Sequence, residues 1–172
     1  MDAIKGFENM VNRADKVAFA KMVSDEGTTY QRLRGFSELS ESKNPTEYSR
    51  KYVDEKNERS EVTGYAPEIS FDFDEYSENT IQAEIVKVFD QELIGKATLI
   101  EIVVVNLAKE TEAKGTYEAS CRAFSIIPDT SGGETDRMNY SGSFKAYGDT
   151  EKGSATTTDA WETATFTPEA AE

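Results

Sequence analysis

Hydrophobic and polar positions along this chain alternate with a period of two in most of the segments that show any period. That spacing belongs to half-buried strands. Glu68–Asp74 is the clearest case: Ile69, Phe71 and Phe73 fall on one face, Ser70, Asp72 and Asp74 on the other. Lys16–Val23 mixes Val17, Phe19, Met22 and Val23 with Lys16 and Lys21, which predicts an edge strand. A turn at Ser24–Gly27 leads to a second strand, Tyr30–Phe36, and Ser60–Ala66 leads up to Pro67. Leu99–Leu107 is nearly continuous in Ile and Val, as expected of a central strand. Gly115–Ile127 alternates again and is expected to stop at Pro128, with residues 129–136 a polar hairpin loop. Asn139–Tyr147 places Tyr140, Gly142, Phe144 and Ala146 on one face. Gly148–Gly153 reads as a turn, and Thr163–Thr167 as a closing strand.

The period changes once. Ile81, Ile85, Val88 and Phe89 stand at i, i+4, i+7 and i+8, one face of a helix. Ser77 or Asn79 can cap its start, and Gly95 is placed to end it in the left-handed region. The spacing predicts a helix over about residues 79–92, flanking a sheet. Six or more strands and one helix define a mainly β fold of sandwich or barrel type.

Two stretches do not fit either period. The first fourteen residues read as an N-terminal arm ahead of a single domain over 15–172. Residues 43–56 are charged and studded with Tyr48, Tyr52 and Val53, and no core pattern runs through them. Ordering such a stretch costs roughly 1–2 kcal/mol per residue in backbone entropy, so a long loop normally binds something. Residues about 38–60 are therefore expected to be an inter-subunit loop that orders against neighbouring copies. Tyr48, Arg50, Lys51, Tyr52, Asp54, Glu55, Lys56 and Arg59 are its candidate contact residues.

The charge narrows the choice of partner. With 19 basic and 33 acidic residues in 172, the net charge is −14, spread over both halves of the chain. That balance disfavours tight nucleic-acid binding, which depends on Lys and Arg displacing phosphate counterions, and disfavours anionic membranes. The N-terminus lacks the apolar run of a signal peptide, and no stretch has transmembrane length. Synthesis in the cytoplasm is expected.

Catalytic patterns fail one at a time. There is no histidine, so Ser–His and Cys–His pairs are excluded. Cys121 is the only cysteine and is expected to be a small apolar filler. Gly95-Lys96 lacks the rest of a phosphate loop, since Asp90 and Ala97 occupy the other key positions. Asp72-Phe73-Asp74 begins like a calcium loop but continues with Tyr76, Ser77 and Ala83 where Asx, Gly and Glu belong. No cofactor or metal is expected, nor is an enzyme, although a carboxylate-pair hydrolase remains formally open among so many acids. Trp161 is expected to pack on the sheet.

The order of several motifs resembles the major tail tube proteins of long-tailed bacteriophages, of the type found in phages of Gram-positive bacteria. The resemblance spans about Ala14–Phe166. It rests on Lys43-Asn44-Pro45, Glu47-Tyr48 and Tyr52-Val53-Asp54-Glu55; on Val62-Thr63-Gly64-Tyr65 with Ile69-Ser70-Phe71; and on Glu92-Leu93-Ile94-Gly95. Further along it includes Ile126-Ile127-Pro128-Asp129, Tyr140-Ser141-Gly142-Ser143-Phe144, Gly148, Gly153 and Phe166-Thr167. The resemblance implies a tail-tube-like β-sandwich with one helix, six copies per ring and rings stacked into a hollow tube. It further implies a lumen lined by β-hairpins, other tail proteins at the tube ends, transient contact with passing DNA and a place in the virion tail. The alternative is a small acidic β-sandwich that binds carbohydrate or another ligand, with Trp161 and the tyrosines as its stacking surface.

Overall fold

The computed structural model describes Gly6 and residues 8–170, so part of the expected N-terminal arm lies outside the described residues. Eleven strands and one α-helix are present among them: β1 (Lys16–Met22), β2 (Thr29–Arg32), β3 (Phe36–Ser42), β4 (Pro45–Arg50), β5 (Arg59–Tyr65), β6 (Glu68–Asp74), α1 (Thr80–Asp90), β7 (Leu99–Glu110), β8 (Tyr117–Gly132), β9 (Asn139–Ala146), β10 (Glu151–Thr156) and β11 (Thr163–Pro168). The fold is mainly β with one helix, as the periodicity predicts. The described residues form two compact units, one within 8–34, 100–123 and 149–170, the other of 35–99 and 124–148.

In the first unit the strand order is β10-β11-β2-β1-β7-β8, and β8 pairs back onto β10. Six strands thus close into a barrel, which leaves no free edge in that ring. β1 is correspondingly a central strand between β2 and β7, not the edge strand expected from its mixed composition. The expectation fails because Lys21 is held inside the structure: its ammonium lies 3.6 Å from Glu101 and donates to the carbonyl of Gly27 at 3.0 Å. The barrel core is built from Val17, Phe19, Val103, Val105, Ala155 and Ala164. Trp161 packs on Phe19 and Tyr117, with ring centroids 6.0 and 5.5 Å apart.

β10 replaces the turn expected at 148–153. Gly153 carries no side chain because the Phe166 ring and the carbonyl of Thr167 fill the space where a Cβ would stand. β8 also runs on through Pro128 to Gly132, beyond the expected stop. A register shift between Pro128 and Thr130 lets the ladder with β9 resume after the missing N–H.

In the second unit β8, β9, β6 and β3 form an antiparallel sheet in that order. Ile69, Phe71, Phe73, Ile126, Tyr140 and Phe144 are buried on one face. Helix α1 contributes buried Ile81, Ile85, Val86 and Val88, and Phe89 meets the Phe71 and Tyr140 rings edge-on. Asn79 caps the helix by accepting from the Gln82 amide N–H at 3.2 Å. The left-handed residue that ends it is Glu92 (φ +48°), three residues before Gly95, the glycine expected there. Gln82 is fully buried and was not legible as a core position. Its Nε2 donates to the Asp74 carbonyl at 3.1 Å and its Oε1 accepts from Tyr76 N–H at 2.8 Å, which ties the helix start to the end of β6.

Candidate interaction surface

Residues 38–60 do not form an irregular loop. β3 lies in the sheet of the second unit, and β4 and β5 pair only with each other as a separate two-stranded ribbon. Thr46 and Val62 flank a register shift, beyond which Tyr48 opposes Glu61, Ser49 opposes Ser60, and Arg50 opposes Arg59. Both faces of this ribbon are exposed along almost its whole length. An isolated two-stranded hairpin is marginally stable in water, and its two unpaired edges are templates for another chain.

All eight candidate contact residues lie on this arm. Alternation along β4 puts Tyr48 and Arg50 on one face. Arg50 Nη1 donates to the Tyr48 hydroxyl at 3.2 Å, and its guanidinium lies 5.4 Å from the centre of the Tyr52 ring. Tyr48 and Tyr52 remain about half exposed, at 51% and 48%. Arg59 turns from Arg50 to pair with Glu55. Lys51, Asp54 and Lys56 sit exposed in the tip between the two strands. The structure therefore gathers Tyr48, Arg50 and Tyr52 into one cluster and Glu55 with Arg59 into another. Exposed Val53, Val62 and Tyr65 belong to the same arm and were not among the candidate contacts. No apolar period runs through the arm to single them out. The arm from Pro45 to Tyr65 carries four basic and five acidic residues, so it is near neutral in a chain of −14.

A second surface is the side of the four-stranded sheet opposite the aromatic core. Register aligns Ser40, Ser70, Ser143 and Ile127 in one row across the strands. The next row holds Glu38, Asp72, Ser141 and Thr130. Asp72 and Asp74 point here and are bound by neighbours. Asn139 donates to Asp72 at 2.7 Å, and Arg137 donates to Asp74 at 3.1 Å. Both carboxylates are thus engaged as strand-surface groups, and among the described residues no acidic cluster has metal-binding geometry.

The barrel holds the one buried thiol. Burial, and then the Glu101 carboxylate, push Cys121 up to about 11, so it is a neutral thiol at physiological pH and a poor nucleophile. Tyr30 is raised as well, by burial and by donating its hydroxyl to Glu101 at 2.8 Å. Trp161 is partly buried, packed against the barrel core through its contacts with Phe19 and Tyr117.

No protein-family model matches the chain, and no curated protein is detectably similar to it in sequence. Among solved structures, the chain is similar to one in the cryo-EM structure of the anti-feeding prophage (AFP) baseplate, 6-fold symmetrised. The identity is 8% and the TM-score 0.44, over 80% of this chain and 91% of that one. A likeness at that level carries no argument about function.

Proposed function

We propose that this chain is a non-enzymatic structural protein of a phage-type tail, which assembles with copies of itself and with other tail proteins. In this reading six copies form a ring, and rings stack into the tube through which the genome leaves the virion. The observation that carries the proposal is the arm of β4 and β5: a ribbon with both faces bare, no core of its own, and tyrosines and arginines displayed together. Aromatic and Arg side chains dominate protein interfaces because they bury large area and make several contacts at once. A ribbon of this kind gains its stability when a neighbour covers it. The closed barrel offers no edge for assembly, which leaves β3 and the arm as the free strands. The serine-rich, acidic sheet face suits a channel wall, since like charge keeps a passing polyanion from adhering.

Sedimentation of two proteins tests the reading: the natural chain, and a variant with residues 46–63 replaced by a two-residue turn. The cut spares β3, which pairs with β6 through Ser42. The natural chain is expected to form large assemblies as concentration rises, and the shortened one to stay a folded monomer. Equal assembly of both would refute the role of the arm.

A further inference from the structure

The arm is not joined to the sheet by a loose connection. Ser42 opposes Glu68 on the sheet side, and Pro45 opposes Tyr65 on the arm side. Two residues on each strand separate these pairs, so both ladders belong to one hairpin in one register. The ladder is nevertheless interrupted there on both strands at the same level. Pro45 begins β4 and Pro67 stands just before β6, and neither has an N–H to give. Between them Asn44 adopts φ +44°, a conformation that breaks an extended strand and that Asn tolerates better than most residues.

The break is bridged by hydrogen bonds that centre on Asn44 and Ala66. The Ala66 N–H reaches the carbonyls of Lys43 at 3.1 Å and Asn44 at 3.3 Å. The Asn44 side-chain Nδ2 donates to the Ala66 carbonyl at 3.0 Å. On the sheet side, the Pro67 carbonyl is fixed by the Ala146 N–H at 2.9 Å. Thus the sheet side of the break is anchored to β9, while the break itself is bridged by one shared backbone N–H and one exposed side-chain amide.

We propose that residues 43–45 and 66–67 form an elbow at which the arm pivots as a unit, with the Asn44 amide as the latch that sets its angle before a partner is met. The inference rests on the reading of β4–β5 as an assembly arm, but its test does not depend on assembly. Two prolines on opposite strands of the hairpin, Pro45 across from Tyr65 and Pro67 two residues beyond it, remove donors that would make it one stiff ribbon. The Asn44 side-chain clamp, beside the shared Ala66 N–H, then holds an angle that a docking neighbour can change.

Distances between paired spin labels, measured on dilute protein in a Cys121→Ala background, read the angle directly. One pair joins the arm tip to the helix (Val53→Cys with Lys87→Cys), and a second lies within the arm (Thr46→Cys with Asp54→Cys). The natural elbow is expected to give a narrow tip-to-helix distribution. Asn44→Ala should broaden it at least twofold while the within-arm distribution stays unchanged. Asn44→Gly keeps the left-handed backbone without the amide and should broaden it as well. A distribution as narrow in both variants as in the parent would overturn the latch. Broadening of the within-arm pair would overturn the pivot, because the arm would be melting and not turning. A broad distribution in the parent itself would show that no angle is set.

Discussion

Gly142 in β9 and Gly153 in β10 share a local setting, each within a strand and each covered by a phenylalanine. At Gly142 a Cβ would meet the Phe71 ring and the backbone carbonyl of Ile127, and at Gly153 the Phe166 ring and the carbonyl of Thr167. Alanine at either site pushes against backbone, so each substitution is expected to cost about 1–3 kcal/mol in denaturant unfolding. A neutral result at both would mean that the strands part easily. Gly153 also shows why β10 was missed: a glycine among Glu151, Lys152 and Ser154 carries the signature of a turn, and the ring that justifies it arrives from β11. Cys121 was legible as a filler, but its neighbours were not, because Tyr30 and Glu101 lie far away in sequence. The folded thiol is raised from 9.0 to about 11. A raised acid contributes stability that is complete below the unfolded value and is lost as pH rises through the folded one. Urea midpoints should therefore fall between about pH 9 and 11, and Cys121→Ala should flatten that fall. Parallel profiles would contradict the assignment.

At the scale of the element, the helix is where the sequence was most informative and also where it misranked residues. The spacing of Ile81, Ile85 and Val88 located the buried face, because one stripe of branched apolar side chains has few other uses. Phe89 lies at its margin, half-buried against Phe71 and Tyr140. Gln82 has no hydrophobic signal, yet it is enclosed and doubly hydrogen-bonded. Ile85→Ala is expected to cost about 2–5 kcal/mol through a cavity. Gln82→Ala should cost about 1–3 kcal/mol by orphaning the Asp74 carbonyl and the Tyr76 N–H. Glu84→Ala and Lys87→Ala should fall within about 0.5 kcal/mol. Thermal melts that place Gln82→Ala with the surface pair would remove its structural role. The arm was legible as a stretch with no core, but its strands were not. β4 and β5 lack an apolar face, so periodicity has nothing to register. Pro45, Pro67 and the run of charges all read as loop.

For the whole molecule, charge and topology act together. The barrel has no edge to offer, the four-stranded sheet presents carboxylates and hydroxyls on its open face, and the near-neutral arm projects tyrosines and arginines. A chain at −14 must overcome self-repulsion to assemble, while exposed ion pairs return at most about 1 kcal/mol each. Moderate salt is expected to favour polymerisation by screening the excess, as light scattering against salt concentration would show. A steady fall from low salt upward would mean that cross-subunit pairs dominate instead. The division into two units was not legible at all. β8 runs from one into the other as a single uninterrupted strand, and no linker composition marks the passage. The central claim is that the arm joins copies of this chain into a tube, and negative-stain electron microscopy of concentrated protein tests it most directly. Rings and tubes are expected from the natural chain and isolated particles from the chain with residues 46–63 replaced. Isolated particles from the natural chain at every concentration, or tubes from the shortened one, would contradict it.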